Sequence, residues 1–434
     1  MIAYPDTLEI EPLTGPINAV VAVPGSKSLT NRALLIAALA QGATRLTNAL
    51  FSDDSRYFVS CLQALGFVVR ADETAATIEV EGLGGHIPAD QAQLFVGNAG
   101  TAARFLTAFV ALGHGDYVVD GVERMRQRPI GDLLDGLRAL GVDAQAPLGN
   151  NCPPVRIRAR GIVGGQVRLG ARTSSQFLTA LLLIGPALQR GLDLLPDGEP
   201  ISKPYLDMTV ALMDGFGVRV ERDGYRRFII APGQGYRAQE YPIEPDASGA
   251  SYFFAAAAVT GGRVRVSHLG WESLQGDTRF VDVLELMGCQ VQRDGEALTV
   301  QGPDQLRGLE VDMNGISDTA LTLAAIAPFA SSPVTVRNIA HVRHQECDRI
   351  AAATANLRRL GIRVDEHPDG WTIYPGQPHG AELETYDDHR VAMAFAVTGL
   401  RTPGVRLRQP HCVAKTFPDY FQRLDGLRQG DATG

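Results

Sequence analysis

The chain has 434 residues, roughly three times the length of a typical domain, which predicts at least two domains. Hydrophobic residues make up 45% of the sequence and charged residues 20%, a composition typical of a folded globular protein rather than a disordered one. The formal net charge of −8 argues against nucleic-acid or membrane-surface binding, which depends on surplus lysine and arginine, although a local site can still attract an anion.

The N-terminus and the cysteines favour a soluble protein of the reducing cytoplasm. The first residues, MIAYPDTLEIEP, lack the basic region and apolar stretch of a signal peptide. The most apolar segments, such as FLTALLLIGPAL, are too short to cross a bilayer. The five cysteines are scattered and form no C-x-x-C pair, so neither a disulfide framework nor a zinc site is expected.

In chain order, the first part of the sequence predicts a β-α-β-α-β-β unit of about 72 residues. Its alternating and helical patterns predict strand 19–23, helix 29–41, strand 44–48, helix 53–65, and strands near 66–71 and 76–81.

This unit recurs about six times along the chain. One phrase, apolar-x-x-apolar-Gly before a strand, ends a helix in five copies, and glycine suits that position because it enters the left-handed region without a Cβ clash. These glycines are Gly66, Gly141, Gly217, Gly288 and Gly361. Ala-rich helical stretches keep the same period, beginning near Ala33, Arg104, Phe177, Ser251, Thr319 and Val391. Two phrases in step predict an α/β protein whose six repeats pack three to a domain.

The sixth repeat, from about residue 381, reaches the C-terminus without its final strand pair. We expect the N-terminal strand TLEIEP to fill that gap, so that the chain crosses between the domains near Pro24 and Ile243. The predicted domains are therefore a discontinuous one, 1–24 with 243–434, and an inserted one, 25–242.

Polar residues are concentrated immediately before the Ala-rich helices, in PGSKSLTNR, VGNAGTAAR, ARTSSQ, EPDASGAS, NGISDTA and YDDHR. Helix capping alone is one explanation of such residues. For EPDASGAS, capping and ligand binding are equally good explanations. Lys27 and Arg32 need more, because cations at the positive end of a helix dipole are unfavourable unless an anion binds among them. The spacing in GSKS excludes a P-loop.

Further cations precede the second helix of several repeats, namely Arg128, Lys203, Arg349 and Lys415. Each alone is an ordinary surface charge, but their equivalent positions indicate a cleft that attracts a multiply anionic substrate. Asp318 and Glu346 stand among them, and each is either a helix cap or a general acid or base.

The motifs together resemble the 5-enolpyruvylshikimate-3-phosphate synthases (3-phosphoshikimate 1-carboxyvinyltransferases), which are enolpyruvyl transferases. The matching segments follow the family's order over essentially the whole chain, and they are PGSKSLTNRALLIAAL, GNAGTAARFL, RMRQRPIGDLLDGLRALG, SSQFLTALLL, ISKPYLDMT, DMNGISDTALTLA, NIAHVRHQECDRI, YDDHRVAMAF and AKTFPDYF. The resemblance implies two domains of three β-α-β-α-β-β units each, with helix N-termini facing the interdomain cleft.

The resemblance also implies the reaction. The enolpyruvyl group of phosphoenolpyruvate passes to the 5-hydroxyl of shikimate 3-phosphate through a tetrahedral intermediate, and phosphate is released, in the pathway to chorismate and the aromatic amino acids. No metal or organic cofactor is implied. We expect a monomer whose partners are these two small molecules, with no nucleic acid and no membrane, and we expect shikimate 3-phosphate to drive closure of the domains.

The site residues implied by the resemblance form two overlapping sets. For shikimate 3-phosphate they are Lys27, Ser28, Arg32, Ser174, Ser175, Gln176, Ser202, Tyr205, Asp318, His341 and Gln345. For phosphoenolpyruvate they are Lys27, Asn98, Gly100, Arg128, Gln176, Arg349, Arg390 and Lys415. Asp318 is implied as the base at the 5-hydroxyl, and Glu346, assisted by Lys27, as the proton donor to the methylene carbon.

Three positions depart from the family's common pattern. Gln345 replaces a frequent lysine, His341 a frequent asparagine, and Phe105 a proline. These departures put substrate affinity and the response to glyphosate in question, while the retained Gly100 leaves room for an inhibitor beside phosphoenolpyruvate.

Two alternatives stand beside this interpretation. A UDP-N-acetylglucosamine enolpyruvyl transferase typically carries a cysteine or aspartate in its second repeat, and GVERMRQRPIG has neither. A catalytically inactive, ligand-binding relative is the other, and the presence of Lys27, Asp318, Glu346 and Arg390 argues against it.

Overall fold

A computed structural model describes residues 2, 4–429 and 431–432 of the chain. The chain divides into two units by its internal contacts. We call residues 1–24 with 244–434 the terminal unit and residues 25–243 the inserted unit. The inserted unit is continuous in sequence, whereas the terminal unit is assembled from both ends of the chain.

The terminal unit begins with strands β1 (Thr7–Glu9) and β2 (Asn18–Val21). The inserted unit follows with α1 (Lys27–Leu39), β3 (Gln41–Thr47), α2 (Asp53–Ala64), β4 (Val69–Asp72), β5 (Thr77–Leu83), β6 (Gln91–Phe95), α3 (Gly100–Phe109), β7 (His114–Asp120), α4 (Gly131–Ala139), β8 (Asp143–Gln145), β9 (Val155–Arg160), β10 (Gly165–Gly170), α5 (Ser175–Ile184), β11 (Leu192–Asp197), α6 (Pro204–Gly215), β12 (Glu221–Asp223), β13 (Arg227–Ile230) and β14 (Glu240–Pro242).

The terminal unit then resumes with α7 (Ala247–Thr260), β15 (Arg263–Ser267), α8 (Phe280–Leu286), β16 (Gln290–Arg293), β17 (Ala297–Gln301), β18 (Glu310–Asp312), α9 (Ala320–Ile326), β19 (Val334–Arg337), α10 (Arg349–Arg359), β20 (Val364–His367), β21 (Gly370–Ile373), β22 (Glu382–Glu384), α11 (His389–Gly399), β23 (Arg406–Arg408), α12 (Tyr420–Gly426) and β24 (Asp431–Ala432).

Three four-stranded sheets organise the inserted unit, with strand orders β14-β3-β5-β4, β6-β7-β9-β8 and β10-β11-β13-β12. In the second of these, β6 and β7 are parallel, and β9 pairs antiparallel with both β7 and β8. A parallel pair needs a crossover, here α3, whereas antiparallel neighbours need only a short connection. This arrangement is the β-α-β-α-β-β repeat that the sequence predicts.

The first repeat takes its first strand from the end of the inserted unit. There β14 pairs in parallel with β3, with Glu240 opposite Arg45. The sequence predicts strand 19–23 in this position, and that prediction is wrong. Instead β2 pairs in parallel with β15 in the terminal unit, within the sheet ordered β16-β17-β15-β2-β24. Each strand thus completes a repeat that is distant from it in sequence.

The N-terminal strand completes the sixth repeat, as the sequence predicts. β1 pairs antiparallel with β23, with Leu8 opposite Leu407, in the sheet ordered β1-β23-β22. The remaining sheet of the terminal unit has the order β18-β19-β21-β20.

The Ala-rich helices are the buried centres of the two units. Every residue of α7 and of α11 is buried, and so is every residue of α1 after Ser28. Helices that are buried on all sides belong in a core, and the candidate site residues that they carry lie in their N-terminal turns. The five repeat glycines all have positive φ, between 80° at Gly361 and 103° at Gly288, which confirms that they end helices. None of the described helices is long and apolar enough to span a membrane.

Candidate active site

The N-terminus of α1 presents Lys27 and Ser28. The side chain of Ser26 caps the helix by accepting a hydrogen bond from the backbone N–H of Leu29 at 3.4 Å. Lys27 Nζ lies 3.8 Å from Asp54 Oδ2, and the lysine side chain is 12% exposed. The cap holds the first turn in place, and the lysine lies beside Asp54 at the start of the helix.

Arg32 lies one turn further along α1 and is 1% exposed. Its guanidinium donates to Thr209 Oγ1 at 2.9 Å, to the carbonyl of Ser28 at 2.9 Å and to the carbonyl of Tyr205 at 3.4 Å. Burial lowers the pKa of Arg32 to about 10, because the charged form has lost its water. No carboxylate among the described residues pairs with this guanidinium.

Arg128 crosses the start of α3. Its Nη1 donates to the backbone carbonyl of Asn98 at 2.9 Å and to Asn98 Oδ1 at 3.1 Å, and the residue is 5% exposed. A Cβ atom on Gly100 would lie 2.5 Å from Arg128 Nη2, so the guanidinium occupies space that only glycine leaves. Asn31 Nδ2 donates to Thr101 Oγ1 at 2.6 Å, which links α1 to α3.

The third polar cluster of the inserted unit belongs to α5 and to the loop before α6. Ser174 caps α5 by accepting from the backbone N–H of Gln176 at 3.2 Å, and Ser175 is buried beside it. Ser202 is buried with φ of 50°, a strained conformation for a non-glycine residue and one that is frequent at binding sites. Lys203, one of the cations that the sequence analysis singled out, forms an ion pair with Glu199.

In the terminal unit, Arg349 is the centre of an ion-pair network at the start of α10. Its guanidinium donates to Asp318 Oδ1 at 3.1 Å, to Glu346 Oε2 at 3.0 Å and to Asp388 Oδ2 at 2.8 Å, and also contacts Gln345 Oε1. Burial alone would lower the pKa of Arg349, but the three carboxylates outweigh it and raise that pKa. This arginine therefore stays charged although it is 2% exposed.

A second pair of cations surrounds the same two acids. Arg390 Nη2 donates to Asp318 Oδ2 at 2.7 Å and lies 3.4 Å from Ser248 Oγ. Lys415 Nζ lies 3.6 Å from Glu346 Oε1. Each candidate acid–base group is thus in contact with two cations.

Two of the departures from the family pattern lie beside this network. His341 Nε2 is 2.9 Å from Ser317 Oγ, next to Asp318. Burial lowers the pKa of His341 to about 4, and the positive charge of Arg349 acts in the same direction against the pull of Asp318. His341 is therefore neutral near pH 7. Gln345, also uncharged, contacts Arg349.

Comparison with known proteins settles the family. The family model for EPSP synthase (3-phosphoshikimate 1-carboxyvinyltransferase) matches residues 13–424. A 3-phosphoshikimate 1-carboxyvinyltransferase from Nostoc punctiforme is 54% identical over 419 residues, covering 96% of this chain and 98% of that protein. One from Shewanella sediminis is 44% identical over 425 residues, covering 97% and 99%. This chain belongs to the EPSP synthase family.

Solved structures agree at the level of the fold. An EPSP synthase from Acinetobacter baumannii superposes with a TM-score of 0.80 at 24% identity, over 96% of this chain and 97% of that one. The enolpyruvyl transferase NikO from Streptomyces tendae gives 0.78 at 20% identity, over 97% of each chain. The two-domain α/β enolpyruvyl transferase fold and the family resemblance stated from the sequence are thereby confirmed.

The structure distributes the candidate residues between the two units. The inserted unit carries Lys27, Ser28, Arg32, Asn98, Gly100, Arg128, Ser174, Ser175, Gln176, Ser202 and Tyr205, and the terminal unit carries Asp318, His341, Gln345, Glu346, Arg349, Arg390 and Lys415. Sequence reasoning missed two buried acids. Asp388, in the YDDHR junction, was available as a signal, whereas nothing in the sequence marked Asp277. Burial, and then the charge of Asp318, raise the pKa of Asp277 to about 7, and Ser248 Oγ donates to its Oδ2.

Proposed function

We propose that this chain transfers the enolpyruvyl group of phosphoenolpyruvate to the 5-hydroxyl of shikimate 3-phosphate, and releases phosphate. Membership of the EPSP synthase family at 54% identity supports the reaction and its place in the shikimate pathway. The observation that carries the proposal for this chain's own residues is the network in which Arg349 and Arg390 hold Asp318 and Glu346. This network brings two acids together with the cations that phosphoenolpyruvate, with its carboxylate and its phosphate, requires.

The inserted unit is proposed to bind shikimate 3-phosphate. The hydroxyls of Ser174 and Ser175 lie at a helix start and that of Ser202 in a strained loop, where short donors and backbone N–H groups suit a phosphate. Arg32, buried among neutral groups, suits the second anionic group of this substrate, its carboxylate. Lys27, Ser28, Gln176 and Tyr205 are proposed to complete the set, with Asp318, His341 and Gln345 from the terminal unit.

Phosphoenolpyruvate is proposed to bind to the arginines and lysines of both units. Arg128, fixed by Asn98 across Gly100, and Lys27 would supply cations from the inserted unit, with Gln176 as a hydrogen-bonding neighbour. Arg349, Arg390 and Lys415 would supply those of the terminal unit. Because the reaction needs groups from both units, we propose that binding of shikimate 3-phosphate drives closure. Small-angle scattering that detects no compaction at saturating ligand would count against this step.

The proposed mechanism is addition followed by elimination. Glu346, assisted by Lys27, protonates the methylene carbon of phosphoenolpyruvate, and the neighbouring carbon becomes electrophilic. The 5-hydroxyl oxygen attacks that carbon while its proton passes to Asp318, giving the tetrahedral intermediate. In the elimination the methyl carbon returns a proton to Glu346, the double bond forms again, the bond to the phosphate oxygen breaks, and the proton held by Asp318 passes to the departing phosphate. Fixed cations stabilise the anionic groups throughout.

The ion pairs explain how Glu346 could exchange its role as a carboxylate for that of a donor. Arg349 Nη2 lies 3.0 Å from Glu346 Oε2, and Lys415 Nζ lies 3.6 Å from Glu346 Oε1. The carboxylate and phosphate of phosphoenolpyruvate would compete for the same two cations and weaken their hold on Glu346. Deuterium from heavy water should then enter the methylene group of the product. Incorporation at the wild-type rate in Glu346→Gln would exclude Glu346 as the donor.

The deciding experiment is phosphate release from purified protein. Phosphate should appear with phosphoenolpyruvate and shikimate 3-phosphate together, and not when UDP-N-acetylglucosamine replaces the shikimate. The family assignment does not favour that second acceptor. Binding of both substrates without release of phosphate would instead support a catalytically inactive relative. A single monomer mass in solution and location in the cytoplasm complete the proposal.

A further inference from the structure

Phe105 lies in the interior of the inserted unit, in the middle of α3, and is 0% exposed. Its ring lies under a cation, because Arg32 Cζ is 5.4 Å from the ring centroid. A second ring, that of Tyr205, lies 5.8 Å from the same carbon. Both distances are within the range over which a guanidinium is attracted to the face of an aromatic ring.

The surroundings of Arg32 give these two rings an electrostatic role in addition to packing. Its hydrogen-bond partners are one hydroxyl and two carbonyls, and no described carboxylate neutralises it. A buried cation without a counter-ion is costly, and a desolvated site is where the ring quadrupole contributes most. Leucine at position 105 would fill the core but offer no such face. The aromatic side chain therefore offers the buried charge of Arg32 a face that an aliphatic side chain would not.

We infer that Phe105 is a positioning residue for Arg32 and thereby sets the affinity for shikimate 3-phosphate. This inference rests on the proposed function, in which Arg32 binds an anionic group of that substrate. The hydrogen bonds to Thr209 and to the carbonyls of Ser28 and Tyr205 fix the edge of the guanidinium, while the ring of Phe105 supports its face. Without the ring of Phe105 the plane of the Arg32 guanidinium is free to tilt. Ordering it when the substrate binds then lowers the affinity.

The test compares two phenylalanines of the same helix. Phe105→Leu removes the ring beneath Arg32, and Phe109→Leu removes an equally buried ring that packs against Phe67, with centroids 5.7 Å apart. Phe105→Leu should raise the Kd for shikimate 3-phosphate, measured by calorimetry, about tenfold, and change the KM for phosphoenolpyruvate less than about twofold. Both variants should lower the melting temperature by a similar amount, because each removes a buried ring. Phe109→Leu should leave the Kd for shikimate 3-phosphate within about twofold of wild type.

A double-mutant cycle separates positioning from general destabilisation. In the Arg32→Gln background, Phe105→Leu should change the Kd, or the KM for shikimate 3-phosphate where binding is too weak for calorimetry, less than about twofold. Equal effects in both backgrounds, no effect in the wild-type background, or an equal effect of Phe109→Leu would each overturn the inference. Phe105→Met replaces Phe105→Leu if the latter does not fold.

The failure of the underlying function gives a different result. Wild-type protein that neither binds shikimate 3-phosphate nor releases phosphate would overturn the proposed function together with this inference. Unchanged binding in Arg32→Gln, with normal phosphate release by the wild type, would overturn only the roles of Arg32 and Phe105.

Discussion

Gly100→Ala places one methyl group against a buried guanidinium. The new Cβ would lie 2.5 Å from Arg128 Nη2, 3.1 Å from Cζ and 3.2 Å from Nη1, so the guanidinium must retreat by about an ångström to reach ordinary carbon contact. Arg128 is 5% exposed and donates from Nη1 to both oxygens of Asn98, so such a shift disturbs a hydrogen bond of a charged group. A bond of that kind contributes about 1.5–3 kcal/mol, which corresponds to roughly a tenfold to hundredfold loss of affinity.

We therefore expect Gly100→Ala to raise the KM for phosphoenolpyruvate about tenfold or more, with the Kd for shikimate 3-phosphate within about threefold of wild type. Phosphate release at varied phosphoenolpyruvate concentration gives the first quantity, and calorimetry the second. Gly235→Ala is a matched control, because a Cβ there meets nothing within 4 Å. An unchanged KM in Gly100→Ala, in protein of normal melting temperature, would refute the placement of Arg128 at the phosphoenolpyruvate site.

Three further variants test the terminal unit. Asp318→Ala should lower turnover by about 10²–10⁴-fold while shikimate 3-phosphate still binds, and near-normal turnover would exclude Asp318 as the base. Asp388→Asn keeps a residue able to cap α11 but removes a fully buried negative charge that pairs with Arg349. Urea denaturation should therefore show a free energy of unfolding lower by about 3 kcal/mol, and a decrease under about 1 kcal/mol would contradict this. The pKa of His341, about 4 against an ordinary 6.5, means that the folded protein binds fewer protons than the unfolded chain between these values. Neutral His341 therefore contributes to the free energy of unfolding above pH 6.5, and this contribution is lost as the pH falls through the interval. Between pH 7 and pH 5 the free energy of unfolding of the wild type should fall by about 2 kcal/mol more than that of His341→Gln. Parallel stability curves for the two proteins would refute it.

The sequence predicts the elements of each repeat because their signals are local. Helix 29–41 differs from the observed α1, Lys27–Leu39, by a shift of two residues, since the hydrophobic pattern does not include the polar first turn that Ser26 caps. The glycines at helix ends are equally local, and all five are in the predicted conformation.

What a residue contacts across the fold is not encoded in its neighbours along the chain. Strand 19–23 is a correct strand assigned to the wrong repeat, because its partner β15 lies far along the sequence. Likewise the departure at Phe105 is visible in the sequence, but its meaning depends on Arg32, which another helix brings to its face. Asp388 and Asp277 are recognisable as buried partners only once α10, α11 and the loop before α8 have packed.

Because of strand β2, the two units become able to fold at different times during synthesis. The inserted unit is complete in one continuous stretch, so it can fold as soon as residue 243 has left the ribosome. By contrast, β2 is made among the first residues and has to wait for β15, which begins at Arg263. At about 5–20 residues per second that wait lasts roughly 12 to 50 s. During this time the short strand NAVV lacks the sheet partner that it has in the folded protein.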